Sequence, residues 1–190
     1  MCRKGENVFR SYNFEIEAYG GNMNNATRTP EQEYRELYEK MAQLCDQQGW
    51  GDPFSYARSK EIYAATVLGH QVAKDFSGAD AIDNGEEVEY KSTTGKNCKG
   101  AYTGISVQSS WPEQERYLRE KKIAKYPRHY YNRFQEGKLV ESWMMDGETV
   151  YEVLLPKLKN KFPTVLQKKD PRLSASVTWG EIKKFGTRII

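Results

Sequence analysis

Ser77-Gly-Ala-Asp80-Ala-Ile-Asp83-Asn-Gly85-Glu-Glu-Val-Glu89-Tyr-Lys91-Ser-Thr93 is the stretch that decides how this chain folds. Asn84 and Gly85 accept the positive φ angles of a type I′ turn, so the stretch reads as two short strands joined at that dipeptide. The turn sets the register. Asp83 faces Glu86, Ile82 faces Glu87, Ala81 faces Val88 and Asp80 faces Glu89. Side chains alternate along a strand, which puts Asp80, Glu89 and Lys91 on one face. Ala79, Ala81, Val88 and Tyr90 occupy the other and can lie on a core. Asp83 falls on the face opposite Asp80, and its expected role is hydrogen bonding in the turn.

Directly opposed strand residues have Cβ atoms about 5 Å apart. Two carboxylates at that distance repel unless a cation lies between them. Mg²⁺ suits such a pair, because it takes one or two carboxylates plus waters and substrate phosphate. A neighbouring ammonium can orient a metal-bound water. This is the chemistry of metal-assisted phosphodiester hydrolysis. The other reading of the same residues is a salt-bridged, solvent-facing strand pair.

Upstream, Thr29-Pro30-Glu31-Gln32 reads as a capped helix start with a capping box. Tyr34, Leu37, Tyr38, Met41, Leu44 and Cys45 then recur at helical spacing, predicting a core-facing stripe that Gly49 closes. Residues 55–70 predict a second helix with Ile62, Ala65, Leu68 and Val72 suggesting its buried side, and Glu61 near that apolar side. Residues 1–28 are polar and irregular and are expected to form an arm. Its Asn25-Ala-Thr sequon is discounted, since no secretion signal accompanies it.

Downstream, residues 94–100 predict a Gly/Lys-rich loop and residues 102–108 a third strand. Residues 112–125 predict a charged helix capped by Ser109 or Ser110. Segments 130–134, 139–145 and 149–155, with turns at Glu136-Gly137 and Asp146-Gly147, read as a run of antiparallel strands. Residues 156–172 are basic and poorly patterned, and residues 177–185 fit a strand or a short helix.

At 190 residues the chain is expected to form one domain, 29–190, with a core at about 55–155 and a basic extension from 156. No stretch approaches a membrane span, and the first residues lead into no apolar run, so a cytoplasmic setting is expected. Three scattered cysteines form no metal-ligand spacing and fit free thiols in a reducing compartment. Charge is unevenly spread. Residues 1–90 hold 9 Lys/Arg against 16 Asp/Glu, and residues 91–190 hold 20 against 10. A basic, aromatic-rich half is compatible with a polyanion partner and equally with a solvated surface. There is no Walker loop, no Gly-x-Ser-x-Gly elbow and no dinucleotide fingerprint. With His70 and His129 alone, a histidine-metal site lacks ligands, and His129 reads as a surface or strand residue.

Acidic-x-Lys occurs at Glu89, Glu120, Glu136 and Glu181, so context has to choose among them. Glu120 lies in a predicted helix and Glu136 at a turn. Glu181-Ile182-Lys183, with Asp170 upstream, remains an alternative to Glu89-Tyr90-Lys91. Only Glu89 has an opposed Asp, an apolar reverse face, a helix before it, and a strand and helix after it. That order resembles the PD-(D/E)xK nuclease superfamily, over about residues 55–155, although Ala79 stands where its Pro would precede Asp80.

The resemblance implies an α/β, restriction-endonuclease-like core with a central mixed β-sheet flanked by helices. Asp80 and Glu89 would be metal ligands for Mg²⁺, with Mn²⁺ able to substitute. Lys91 would position the attacking water, Glu61 would be the auxiliary helix carboxylate, and Gln108 would help orient the site. The expected activity is a Mg²⁺-dependent endodeoxyribonuclease of the type II restriction kind, acting on double-stranded DNA as a homodimer. A junction resolvase, a repair nickase and a non-catalytic DNA-binding module are the alternatives. Lys96, Lys99, Arg116, Arg119, Lys122, Arg128 and Arg133 are the expected DNA contacts, alongside Lys121 and Lys125.

Overall fold

The Asn84-Gly85 turn forms as its residues dictate, with φ of 50° and 82°. In this computed structural model, which describes residues 28–74 and 78–190, the chain runs through α1 (Pro30–Gln48), α2 (Arg58–Leu68), β1 (Gln71–Val72), β2 (Ala81–Asp83) and β3 (Glu86–Thr93). It continues through β4 (Gly100–Ser106), α3 (Trp111–Tyr117), a π-helical turn (Leu118–Lys122), β5 (Arg128–Gln135) and β6 (Lys138–Asp146). It closes with α4 (Gly147–Val165), β7 (Arg172–Val177), α5 (Trp179–Phe185) and β8 (Thr187–Arg188). The expected arm and the Asn25 sequon lie outside the described residues.

The central sheet is mixed, in the order β1-β2-β3-β5-β6-β8. Over Ala81–Asp83 the β2–β3 register is the expected one, Ala81 with Val88, Ile82 with Glu87 and Asp83 with Glu86, but the expected Asp80–Glu89 pair is not part of the ladder. Asp80 precedes the ladder, its amide donating to the Val88 carbonyl at 3.0 Å. On its other edge β3 runs parallel to β5, pairing Glu89 with His129 and Lys91 with Tyr131. A parallel neighbour needs a crossover. Here β4, α3 and the π-helical turn supply it.

Helices flank both faces. On one, α2 packs Ala64 and Ala65 against Val88, Tyr90, Tyr130 and Phe134. On the other lies the larger core, where Leu154, Leu158 and Phe162 of α4 meet Tyr131, Met145, Leu173 and Val177. β5 is buried on both sides, so Tyr130 and Tyr131 serve different cores. Cys45 and Cys98 are buried free thiols. Among the described residues, no helix is long and apolar enough to cross a membrane.

Several expectations change. Residues 149–155 are not a strand. They belong to α4, whose buried Val150, Leu154, Leu158, Phe162 and Val165 recur every three or four residues. The Asp146 side chain caps this helix by accepting from the Thr149 amide at 2.8 Å. The poorly patterned basic segment thus continues a helix, with Pro156 and Pro163 inside it. β4 does not join the central sheet; it pairs with β7 in a separate two-stranded sheet and ends at Ser106. β1 takes the place beside the hairpin. Residues 177–185 resolve into the end of β7 followed by the short helix α5.

The α1 stripe is also not core. Thr29 and Gln32 form the expected capping box and Gly49 the left-handed stop, but Cys45 is the helix's one buried side chain. His129 sits in β5 as expected, yet it is fully buried rather than at the surface.

Candidate active site

The predicted triad begins from the hairpin. Glu89 and Lys91, two residues apart on β3, leave the face that meets β4, and both are about one-fifth exposed at the side chain, at 18% and 20%. Their ammonium and carboxylate form a close ion pair. Asp80 anchors beside them, its Oδ2 accepting the Tyr90 amide proton at 2.6 Å. Its Oδ1 accepts no hydrogen bond from a described residue.

Glu61 approaches from α2. Its Oε2 is held at 3.2 Å by Nη1 of Arg58, a guanidinium only 1% exposed. Arg58 in turn donates from Nε to the Trp50 carbonyl at 2.6 Å, and from Nη2 to the Ala73 carbonyl. A buried cation with three acceptors fixes the start of α2 to the loop after β1. Nothing in the local pattern 58–61 distinguishes Arg58 from a solvated helix residue, so sequence reasoning missed it.

The electrostatics show how crowded these carboxylates are. Burial, then the Glu89 and Glu61 carboxylates, push Asp80 up to about 8, against the opposing pull of the Tyr90 amide and Lys91. Burial also raises Glu61, with Arg58 opposing and Glu89 adding to the rise. Strongly perturbed acids cluster where charge is to be managed, although structural ion networks also perturb them. Among the described residues, no group of three or more His, Cys, Asp and Glu side chains is placed to hold a metal ion. Asp80 and Glu89 nevertheless fit Mg²⁺ by donor type: they are hard oxygen ligands with one Asp80 oxygen unused, and this cation takes few protein ligands.

Glu89 and Lys91 open into a cleft of about 470 Å³ walled by β4 and the π-helical turn. Its far rim carries Lys121, Lys122 and Lys125. The π turn explains their position: Ile123 donates to the Leu118 carbonyl at 2.7 Å, an i+5 bond that buries both Leu118 and Ile123. The lysines between them are left facing out. Lys125 also pairs with Glu87 at 2.9 Å. Asp80 and Glu61 are not among the residues that line the cleft.

The floor of the cleft holds a network that the sequence reading did not find. The Lys91 ammonium lies over the Tyr102 ring, 4.9 Å from its centroid. The Tyr102 hydroxyl is 2.9 Å from His129 Nδ1 and 3.1 Å from the Tyr131 hydroxyl, and His129 Nε2 is 3.0 Å from the Ile123 carbonyl. The Ile123 carbonyl can only accept, so Nε2 carries the proton and Nδ1 accepts from Tyr102. Burial holds His129 down at about 4, so it stays neutral.

The remaining candidates disperse. Gln108 lies beyond β4, where its amide donates to the Gln114 side chain at 2.8 Å, and the structure does not bring it to the carboxylates. Glu181 caps α5 from its third position and takes both its oxygens to Lys157 at 2.7 Å. Asp170 pairs with Arg172 at 3.2 Å. Of the expected DNA contacts, Lys122 is on the cleft rim, while Lys96, Lys99 and Arg116 are exposed. Arg119 pairs with Glu148 at 2.7 Å and Arg133 with Glu141 at 2.8 Å. Arg128 is taken up by Asp83 at 2.6 Å and Glu86 at 2.8 Å. Asp83 therefore does more than close the turn, since it also accepts from the Tyr130 hydroxyl at 2.7 Å.

No protein-family model matches this chain, and a search among curated proteins finds no match.

Proposed function

We propose that the chain is a Mg²⁺-dependent endodeoxyribonuclease with a restriction-endonuclease-like core, cutting double-stranded DNA as a sequence-specific type II enzyme. The observation that carries this reading is that the largely buried Asp80 and Glu61 carboxylates lie within Coulomb range of the Glu89–Lys91 ion pair. Burial, then the Glu89 and Glu61 carboxylates, hold Asp80 at about 8, and Glu89 and Lys91 line an open cleft. An ordinary strand-surface ion pair has no reason to desolvate a second and third carboxylate next to it. The element order also supports it: helix with Glu61, hairpin with Asp80 and Glu89, then a strand parallel to β3 reached through a helical crossover.

In this reading Asp80 and Glu89 hold the cation. When bound, Mg²⁺ (or Mn²⁺) supplies polarisation of a phosphoryl oxygen and a more acidic water. Lys91 orients that water and stabilises charge developing on the phosphate oxygens. Tyr102 keeps the Lys91 ammonium beside Glu89, and Lys121, Lys122 and Lys125 bind backbone phosphates, which position the duplex without reading its sequence.

The test is to incubate the protein with unmethylated, phage-sized linear DNA in Mg²⁺ or EDTA and to resolve the products on a gel. Discrete fragments in Mg²⁺ alone are the expected result. A smear would keep the nuclease and remove the restriction reading. Intact DNA, with four-way junctions and nicked duplex also intact, would overturn the enzyme. Glu89→Ala should abolish cleavage while leaving DNA binding intact, whereas a binding module would be indifferent to it.

A further inference from the structure

Tyr102 and Ile105 both belong to the larger core. They are three residues apart on β4, and an uninterrupted strand would send them to opposite faces. A bulge resolves the conflict. Tyr102 pairs with Ala175 and Ile105 with Leu173, so Thr103 and Gly104 together face the single residue Ser174. Gly104 takes a left-handed φ of 66°, and the space that a Cβ would fill there is open. Both core side chains thus stay inside, while Thr103 and Gly104 are exposed.

Thr103 lines the cleft, which therefore has two unlike walls. The π-helical turn and the residues after it bring Lys121, Lys122 and Lys125. The β4 wall brings Ala101, Thr103 and Ile105, none of them charged. Phosphates and bases lie on opposite sides of a nucleic-acid strand. A strand whose phosphates follow the lysines therefore turns its bases towards β4. Phosphate contacts position a duplex and base contacts specify it.

A threonine hydroxyl can donate or accept, so it suits either kind of group on a base edge. Among the described residues that line the cleft, Thr103 alone offers an exposed hydroxyl. Tyr102 commits its own to His129 and Tyr131, and Tyr126 is buried. No described residue hydrogen-bonds the Thr103 side chain.

We propose that the β4 bulge is the specificity element of the cleft, with the Thr103 hydroxyl hydrogen-bonded to the base edge of a nucleotide beside the scissile phosphate. This rests on the nuclease reading above and adds to it a residue that reads sequence.

The test is binding rather than cleavage. The full chain is mixed with a pool of short duplexes randomised at their centre, with Ca²⁺ replacing Mg²⁺, and the bound duplexes are sequenced. Wild type should enrich one motif. Thr103→Val keeps the branched shape and loses the hydroxyl, and it should lose discrimination at one base pair of that motif by about tenfold. Thr103→Ser keeps the hydroxyl and should retain the full motif. Lys121→Gln with Lys122→Gln should weaken all sequences alike. A Thr103→Val protein that selects the wild-type motif at every position would overturn the proposal and leave the nuclease reading standing. A wild type that enriches no motif would overturn it too, and cleavage in Mg²⁺ would then decide the nuclease reading separately.

Discussion

The Lys91 ammonium is gripped between two groups, the Glu89 carboxylate beside it on β3 and the Tyr102 ring under it at 4.9 Å. The ring is itself fixed, because its hydroxyl donates to buried His129. Tyr102→Phe keeps the ring and loses the hydroxyl, leaving His129 Nδ1 without its donor. We expect near-normal cleavage and a stability loss of ~1–3 kcal/mol in urea denaturation. Tyr102→Leu removes the platform as well, and single-turnover cleavage should fall by about tenfold (~1.4 kcal/mol). Equal cleavage by both variants would remove Tyr102 from the site.

Asp80 and His129 give opposite pH dependences. The folded Asp80 is raised to about 8 from 3.8, so between those values the folded state holds the extra proton and stability falls as pH rises. Asp80→Asn should therefore raise Tm at pH 8 and leave it unchanged at pH 3.5. At this chain length ~1 kcal/mol moves Tm by ~2–4 °C, so a rise of at least ~4 °C is expected by calorimetry. Mg²⁺ should raise the wild-type Tm at pH 8 and leave the variant unmoved.

His129 is lowered to about 4 from 6.5, so between those values the unfolded state holds the extra proton and stability is lost as pH falls. His129→Gln should flatten that acid limb in thermal melts between pH 6.5 and 4. A limb that persists would assign the acid loss to other groups.

Arg58 ties Glu61, the Trp50 carbonyl and the Ala73 carbonyl together from a site 1% exposed. Arg58→Ala strands a half-buried carboxylate and two carbonyls, and we expect a loss of ~3–5 kcal/mol in denaturant. Glu61→Gln in the same background should recover part of it. No recovery would show that the carbonyl contacts, rather than the ion pair, carry the stability.

Lys121 and Lys122 line the cleft, whereas Arg133 is occupied by Glu141 at 2.8 Å. Lys121→Gln with Lys122→Gln should reduce the slope of log affinity for duplex DNA against log salt by ~1–2. Arg133→Gln should leave that slope unchanged and lower Tm instead. The reverse pattern would move the phosphate path away from the cleft.

Local rules carried the hairpin register, the α1 cap box, the Gly49 stop and the Ser110 cap, because each depends on residues within a few positions of one another. The same rules failed where a distant partner chose. Residues 149–155 hold enough branched and aromatic side chains for a strand, and only Leu173, Val177 and Met145 beneath them select the helical face. The α1 stripe obeys the pattern of a buried helix, yet periodicity states which residues share a face and never what covers it.

The sequence alone therefore determined the Asn84-Gly85 turn and, through the period of two, the shared face of Glu89 and Lys91, whereas Asp80 lies ahead of the ladder and does not line the cleft they open into. Only the tertiary structure decided that Glu61 joins them, that Tyr102 and His129 lie underneath, and that Arg128 and Arg133 are spent on ion pairs. The reason is physical. Turn chemistry and strand alternation act over a few residues, whereas burial and Coulomb interaction depend on distances in space, which are set when a parallel crossover brings residues 40 apart in sequence into register.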